Sequence, residues 1–242
     1  MYNSPFIIKE TEDFAVVFKP PKMHSVPLRR KDNCIESTSA FLEWYRDHSP
    51  DFCEMMHRLD FETHGLVLFA KTQKSFEFFK NLQESGGFVK EYSAVCSSYI
   101  PAESAAGFPQ SPAFETRLPS PENPMVIESY FRPYGKGRKL VRPVMEIKKN
   151  REIAKDKGGF YRTEITGING NNFTVRIKRG FRHQIRCHLC WIGYPILNDP
   201  LYPNFTAADS FLALRAHALF FPDPSNGVER EYRIDALDKT PF

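Results

Sequence analysis

An asparagine–glycine pair between two alternating segments is the feature that most restricts how this chain can fold. In RTEITGINGNNFTVRIKRG, residues 162–180, apolar and polar residues alternate on both sides of Asn169 and Gly170. Such pairs favour tight turns whose twist suits an antiparallel hairpin. We therefore expect antiparallel pairing to dominate the sheet of this protein.

The rest of the chain mixes short strands with a few helices. Residues 7–21 indicate two strands around an acidic turn, the second ending at Pro20 and Pro21, because proline cannot continue a ladder. Apolar spacing predicts helices over residues 35–47, opened by Ser37 and Thr38, over 72–87, and over 182–193; further strands are predicted over 65–71, 90–100 and 216–224. Residues 101–159 are rich in proline and basic side chains, and we expect them to be mostly loop with a strand at each end. These elements predict an α+β fold with a mixed, mainly antiparallel central sheet and flanking helices.

Composition limits the class of protein. Five cysteines are scattered over 242 residues, and the sequence has neither a secretory leader nor an apolar run of the roughly 20 residues that span a bilayer. We therefore expect a cytoplasmic protein with no disulfide framework and no membrane partner. The formal net charge of +4 is compatible with a polyanionic partner and is too small to identify one.

The first stretch that can carry chemistry is MHRLDFETHGLVLFAK, residues 56–71. His57, Arg58 and Asp60 stand together immediately before an apolar strand. One reading is a polar turn that enters a buried strand. The other is a loop at the edge of a sheet whose side chains face a cleft. The stretch alone leaves both readings open.

The second stretch is KRGFRHQIRCHL, residues 178–189. If the helix begins near Arg182, then Arg182 and Arg186 lie on one helix face four residues apart, where like charges repel. They can be solvated surface residues. Alternatively, since Gln184 and Ile185 suggest a partly buried helix, an arginine in it requires a carboxylate or a phosphate.

Cys187 and Cys190 lie in the same helix as a C-x-x-C pair. A structural zinc site needs a second pair of ligands at similar spacing, and a redox pair normally opens a helix instead of lying inside it. We expect two buried cysteines and no bound metal.

The two stretches together resemble the catalytic signature of the RluA-type pseudouridine synthases, which isomerise uridine in RNA. HRLDFETHGL and GFRHQIRCHL occur with KEYSAV and GYPILNDPLYP in the order of that family, and the resemblance runs from VVFKPP to LALRAHAL. It implies a pseudouridine synthase-like fold with an active-site cleft across the sheet. It also implies one catalytic domain over residues 1–242, either as one body or as two lobes sharing a sheet, without the small S4-like N-terminal domain that many relatives carry.

The resemblance also implies roles for individual residues. Asp60 takes the position of the nucleophile, Tyr92 that of the aromatic residue against the target base, and Arg186 that of the arginine that pairs with the aspartate. Arg58 matches the arginine that fills the stack when the base has left. These roles suit the chemistry, because a carboxylate kept ionised by a nearby arginine can hold one fragment of the nucleoside and then leave. No cofactor is implied.

RNA must be held while the base is flipped out, and basic side chains can do this. We expect a monomer that binds ribosomal or transfer RNA through the following candidates: His57, Arg58, Arg182, Arg29, Arg30, Lys136, Arg138 and Lys139. For the charge runs, a solvated surface is an equal alternative. His64 stands where the family usually has serine, and Phe181 where it usually has arginine, so the grip on RNA can differ.

The sequence favours an RNA uridine isomerase. The alternative is an RNA-binding relative without catalysis, which predicts loss of the aspartate, the tyrosine or the arginine, although all three are present. A hydrolase using Asp60 and His57 lacks a serine or cysteine nucleophile motif.

Overall fold

The computed structural model describes residues 4–27, 40–49, 52–97, 108–112, 118–145, 160–202 and 210–235. The chain divides into two compact units: Met1–Glu91 with Arg215–Ala236, and Tyr92–Leu214 with Leu237–Phe242. The expectation of a single catalytic domain over residues 1–242 stays a prediction. In chain order the elements are β1 (Phe6–Glu10), β2 (Phe14–Lys19), α1 (Phe41–Arg46), β3 (Glu54–Met55), β4 (His64–Ala70), α2 (Gln73–Ser85), β5 (Val89–Val95), β6 (Met125–Tyr134), β7 (Leu140–Val144), β8 (Tyr161–Asn169), β9 (Asn172–Ile177), α3 (Gln184–Trp191), β10 (Leu214–Pro222) and β11 (Glu229–Arg233).

The strands of the first unit run in the order β1-β2-β4-β10, with β3 beside β4 and β11 beside β10. β4 pairs with β10 in parallel, whereas β1–β2, β2–β4, β3–β4 and β10–β11 are antiparallel. The parallel pair brings the backbones unusually close at Gly65, where a Cβ atom would overlap the carbonyl oxygen of Ala216. The glycine also has a φ of +125°, which other residues rarely adopt.

Phenylalanine fills the core of this unit. Phe14, Phe79 and Phe221 meet edge to face, with ring centroids 5.3 to 6.1 Å apart, and Phe88 contacts Phe221 at 5.9 Å. Leu66 and Leu68 of β4 are buried in the same cluster. Aromatic pairs of this kind add to the stabilisation that burial of apolar surface gives. This core holds β4, the strand that follows Asp60, in place.

The second unit contains the antiparallel order β9-β8-β6-β7. The predicted hairpin is confirmed: Asn169 pairs with Asn172 across a turn at Gly170 and Asn171, and Gly170 has a φ of +58°. The helix α3 packs beside this sheet, and its Cys187 and Cys190 are buried with Phe131, Val141 and Tyr202. Both units therefore fit the predicted α+β fold with a mostly antiparallel sheet.

Two helix predictions differ in outcome. α2 begins after Thr72, whose Oγ1 accepts a hydrogen bond from the Ser75 N–H at 3.1 Å, and ends at Gly86 with a φ of +77°, as the sequence indicates. α1 begins at Phe41, and its N-cap Ala40 makes no side-chain capping bond. Ser37 and Thr38 lie outside the described residues.

The prediction of mostly loop over residues 101–159 is wrong for β6, which is ten residues long. Met125, Ile127, Ser129 and Phe131 alternate with outward residues, so the period of two is present in the sequence. The surrounding prolines and polar residues obscured it. β7 tolerates Pro143 because it is the last strand of the order given above.

Candidate active site

The loop that carries Asp60 is held by the segment after β2. Ser25 Oγ donates to the Leu59 carbonyl at 2.6 Å and accepts from the Leu59 N–H at 3.1 Å. The Met23 N–H donates to the Phe61 carbonyl at 3.3 Å, and the Thr63 N–H closes the turn on the Asp60 carbonyl at 3.1 Å. Asp60 is half-buried between fixed neighbours, so its position is determined by backbone bonds on both sides.

Lys19 fixes the far side of this turn. Its side chain is buried, and its Nζ donates to the carbonyls of Pro20 and Thr63, each at 2.9 Å. Burial lowers the pKa of Lys19 to about 7, and the nearby carboxylates of Asp60 and Glu62 oppose this fall. A buried ammonium group therefore lies within electrostatic reach of the predicted nucleophile, a feature that sequence reasoning missed. The sequence signal that could have found it is the lysine in the FKP segment at the end of β2.

The neighbours of Asp60 differ in exposure. Arg58 is exposed. The His57 ring lies 5.3 Å from Phe88, with its Nε2 3.3 Å from the Leu66 carbonyl oxygen. Burial, together with the charge of Lys90, lowers the pKa of His57 to about 3, so the ring is neutral near pH 7. The RNA contacts proposed for both residues stay predictions.

His64, which departs from the family pattern, is buried in β4. Its Nε2 accepts a hydrogen bond from Arg215 Nε at 3.0 Å. Burial and the charges of Arg215 and Lys19 lower the pKa of His64 to about 3, and a neutral ring that accepts at Nε2 carries its proton on Nδ1. His64 therefore joins β4 to β10 directly after the Asp60 loop.

In the second unit, Arg186 is buried in a bidentate ion pair. Its Nε and Nη2 lie 2.8 and 2.7 Å from the two carboxylate oxygens of Asp199, and the side chains are 1% and 0% exposed. The carboxylate also accepts from the Leu201 N–H at 2.8 Å. The need for an anion beside Arg186 is thus confirmed, although sequence reasoning missed Asp199. Its presence in GYPILNDPLYP was the signal that could have found it.

The predicted pairing of Arg186 with Asp60 stays a prediction, since the two residues belong to different units. The prediction that Arg182 and Arg186 share a helix face is wrong. α3 begins at Gln184 after His183, which has a φ of +56°, so Arg182 precedes the helix and is exposed. Because the backbone of His183 is in the left-handed region, the chain changes direction there before α3 begins.

A polar network holds the first turn of α3. Gln184 Nε2 donates to Thr163 Oγ1 and to the Arg162 carbonyl, each at 3.0 Å, and its Oε1 accepts from the Phe181 N–H at 2.9 Å. Below it, His188 lies between Thr163 and Ser129 at 2.8 and 2.9 Å. Burial lowers the pKa of His188 to about 3, so this network is neutral and keeps the helix that presents Arg186 in place.

Phe181, the second departure from the family pattern, is a packing residue. Its ring stacks on Phe131 at 5.1 Å and contacts Tyr161 at 4.9 Å.

Tyr92 lies in β5 and is 5% exposed. The residue before it, Glu91, is also buried, and its carboxylate pairs with His217 Nε2 at 3.0 Å and with Arg233 Nη1 at 2.9 Å. Within the first unit, the buried carboxylate of Glu91 thus pairs with side chains of β10 and β11.

The candidate RNA-binding cations fall into two groups. Lys136, Arg138 and Lys139 are exposed on the turn between β6 and β7, and Arg182 Nη2 donates to the Arg138 carbonyl at 2.8 Å. This bond joins the turn to the segment entering α3. Arg29 and Arg30 lie outside the described residues.

The part of the chain that the structure describes also bears on metals and membranes. No group of three or more histidine, cysteine or acidic side chains within it could hold a metal ion. Among the helices described above, none is long and apolar enough to cross a membrane. Cys187 and Cys190 are free thiols, and burial raises the pKa of both.

Comparison with known proteins identifies the family. The family model for RNA pseudouridylate synthase matches residues 13–191, and the chain belongs to this family, whose members isomerise uridine in RNA to pseudouridine. It is 27% identical over 225 residues to the dual-specificity RNA pseudouridine synthase RluA of Pasteurella multocida, covering 90% of this chain and 87% of that protein. The corresponding protein of Haemophilus influenzae is 26% identical over 233 residues, with 93% of each chain covered.

Solved structures agree on the fold. The human RNA pseudouridylate synthase domain containing 1 superposes with a TM-score of 0.62 at 18% identity, covering 94% of this chain and 82% of that one. The human RNA pseudouridylate synthase domain containing 4 superposes with a TM-score of 0.55 at 20% identity, covering 96% of this chain and 88% of that one. The chain is thus an RNA pseudouridine synthase with the fold of this class.

Proposed function

We propose that Asp60 is the nucleophile that isomerises one uridine in a ribosomal or transfer RNA, with Tyr92 and Arg186 as its catalytic partners. The observation that carries the proposal is the fixed turn around Asp60, since a nucleophile must be held in a narrow range of positions. Ser25 and Lys19 hold the two ends of this turn, at Leu59 and Thr63. A positive charge at Lys19 and one at Arg186 would favour the ionised carboxylate.

In this proposal the target uridine leaves its stack and enters the site, and Arg58 fills the space that it vacates. The bond between uracil N1 and ribose C1′ breaks while the Asp60 carboxylate holds one fragment, at the sugar or at the ring. The uracil turns, C5 bonds to C1′, the carboxylate departs, and C5 loses its proton as N1 gains one. Tyr92 stacks on the uracil, and its hydroxyl is placed to take part in the proton transfer. The product is an isomer, so no cofactor is consumed.

The RNA would be held by the cations predicted above, Arg58, Arg182, Arg29, Arg30, Lys136, Arg138 and Lys139. His57, whose ring is neutral near pH 7, would contact the RNA without a charge. The exposed turn that carries Lys136, Arg138 and Lys139, tied to Arg182 through the Arg138 carbonyl, supports this role. Cysteine usage without a disulfide framework supports a cytoplasmic location, and we expect the protein to act as a monomer.

The test is Asp60→Asn, which keeps the shape of the side chain and removes the nucleophile. RNA labelled with tritium at uridine C5, prepared from cells that lack this gene, is incubated with each variant, and tritium release is measured. We expect wild-type protein to release tritium and Asp60→Asn to fall by more than a thousandfold (about 4 kcal/mol of barrier) while RNA affinity is kept. The control is Asp47→Asn, at an exposed aspartate after α1.

Activity of Asp60→Asn within tenfold of wild type would reject Asp60 as the nucleophile. A wild-type protein that binds RNA and releases no tritium would instead favour the catalytically silent relative. Mapping pseudouridines in total RNA from cells with and without the gene identifies the RNA and the uridine.

A further inference from the structure

Two aromatic rings lie beside Asp60 and have no role in the reaction as proposed. Phe61 follows the aspartate directly, and its ring centroid is 4.4 Å from that of His24, with the two ring planes inclined by 37°. Both residues belong to the first unit. Phe61 is 37% exposed, and His24 is half-buried. We call these two rings the His24–Phe61 platform.

Backbone bonds align the segments that carry the two rings. The Met23 N–H donates to the Phe61 carbonyl at 3.3 Å, and Ser25 Oγ makes two hydrogen bonds to the backbone of Leu59. The two segments therefore run side by side in opposite directions. The residues between these anchors, His24 on one segment and the proposed nucleophile on the other, occupy matching positions.

Each ring also has a fixed backbone on its outer side. The His24 carbonyl accepts a hydrogen bond at 2.9 Å from the N–H of Phe41, the first residue of α1. On the other segment, the Thr63 N–H donates to the Asp60 carbonyl at 3.1 Å, which makes Phe61 the second residue of a tight turn. Since the backbone is held on both segments, the platform keeps its face in one orientation before any ligand binds.

The position of the platform decides which ligand can reach it. A single exposed phenylalanine is common and needs no explanation, but this one is next to the proposed nucleophile. Because an RNA strand is continuous, the nucleotides on either side of the target uridine must pass over the residues around Asp60. When the target leaves its stack, each neighbouring base loses a stacking partner. Aromatic side chains, histidine included, are the groups on which proteins stack unpaired bases.

The charges around the platform are compatible with RNA. Arg58 and Lys22 are both exposed. The carboxylates on either side of the phenylalanine, those of Asp60 and Glu62, interact electrostatically with the buried ammonium group of Lys19. This interaction offsets part of the negative charge that would otherwise repel a phosphate next to the rings.

We propose that the His24–Phe61 platform stacks on the unpaired base of a nucleotide that neighbours the target uridine. In this arrangement Arg58 fills the space that the target vacates, and the platform holds a base that stays in the strand beside it. Any of the four bases can stack in this way, because every base has a flat face. The inference rests on the proposed function, since it takes Asp60 to mark the place of the target uridine.

The test measures kcat and KM for tritium release from RNA that is labelled at uridine C5 and prepared from cells lacking this gene. Phe61→Ala should raise KM by about 5- to 150-fold, the range that the loss of one base–aromatic stack gives. Its kcat should stay within about twofold of wild type, because the stack is present both before and during the reaction. His24→Ala, which removes the ring under Phe61, should change KM in the same direction by less.

Conservative variants separate stacking from folding. Phe61→Tyr keeps the flat ring and should keep the wild-type KM, whereas Phe61→Leu keeps apolar volume without a flat face and should raise KM nearly as far as Phe61→Ala. The matched control is Ile7→Ala, at a β1 residue of the first unit that is also 37% exposed; it should leave both constants unchanged. Urea unfolding confirms that each variant is folded.

A second experiment identifies the base. Once the target uridine is mapped, a short RNA containing it is made with an abasic nucleotide at the position before or after the target. Phe61→Ala should lose much of its effect on KM with one of these two RNAs, because the base that it would stack on is already absent. An effect of Phe61→Ala that is equal in the intact RNA and in both abasic RNAs would overturn the proposal.

The outcomes also separate this inference from the proposed function. Wild-type constants for folded Phe61→Ala and His24→Ala, with Asp60→Asn inactive, would overturn the platform and leave the nucleophile in place. A wild-type protein that binds the RNA and releases no tritium would overturn the proposed function. The platform would then be judged by retention of the labelled RNA on a filter, where unchanged affinity of Phe61→Ala would count against it.

Discussion

The buried pair of Arg186 and Asp199 leads to a prediction with a definite magnitude. Both charges are removed from water, and two hydrogen bonds of 2.7 and 2.8 Å compensate for that loss. Removing one partner leaves the other as a buried charge, which costs about 3–5 kcal/mol. Asp199→Asn removes the carboxylate charge that the buried guanidinium binds through two hydrogen bonds, so we expect a loss of free energy of unfolding in the upper part of this range.

Arg186→Met should be less damaging. The Asp199 carboxylate that remains still accepts hydrogen bonds from the backbone N–H groups of Leu201 and Tyr202, at 2.8 and 3.3 Å. We expect a loss near the lower limit, about 3 kcal/mol. In the double variant Arg186→Met/Asp199→Asn neither charge remains, and the combined loss should fall short of the sum by about 2–3 kcal/mol.

Urea unfolding of the four proteins at one pH measures this coupling. Losses that add within about 0.5 kcal/mol would refute the reasoning, because contacting partners cannot be removed independently. A second cycle, with Asp60→Asn in place of Asp199→Asn, tests the pairing of Arg186 with Asp60. A coupling of zero there would mean that Asp60 and Arg186 do not meet.

Two further predictions concern the first unit. The pKa of Lys19 is about 7 in the fold against 10.5 ordinarily, so between these pH values the unfolded chain binds more protons than the folded one. The free energy of unfolding of wild type relative to Lys19→Met should therefore rise with pH over this window, by up to about 1.4 kcal/mol per pH unit. If urea unfolding shows a difference that is flat or falls with pH, the lowered pKa of Lys19 is contradicted. Gly65→Ala should destabilise by more than about 3 kcal/mol or prevent folding, because its Cβ would meet the Ala216 carbonyl oxygen. The control is Gly167→Ala, whose Cβ would lie 3.6 Å from its nearest neighbour and which should change the melting temperature little. Equal melting temperatures for Gly65→Ala and Gly167→Ala would show that the backbones of β4 and β10 do not approach as closely as described.

The elements that the sequence predicted well are those set by neighbouring residues. Thr72 caps α2 through Ser75, and Gly86 ends that helix with a left-handed φ; both are local signals. The turn at Gly170 and Asn171 depends likewise on residues next to it. β6 was missed because its pattern is a period of two spread over ten residues, and Pro133 and the preceding prolines point to a loop when considered alone.

The residues of the candidate site show the same difference between features set by neighbouring residues and features that no local pattern encodes. The helix sequence raised the possibility that Arg186 needs an anion, because Gln184 and Ile185 suggest a partly buried helix, and it left a solvated arginine as the alternative. Its pairing with Asp199 depends on how the chain between residues 191 and 199 returns, which no local pattern encodes. The left-handed His183 was also out of reach, since few residues other than glycine adopt that conformation and nothing nearby marks it.

The histidine at position 64 shows why a departure from a family pattern requires a structure before it can be interpreted. From the sequence, this departure indicates only that the grip on RNA can differ. In the fold its Nε2 is occupied by Arg215, and its pKa of about 3 keeps it neutral. Such a ring can neither attract a phosphate nor accept a proton near pH 7. The positive charge belongs to Arg215, which also donates to the Asp235 carbonyl at 2.9 Å. The histidine therefore joins β4 to β10 in the strand that follows Asp60, and it gives no reason to alter the proposed role of the aspartate.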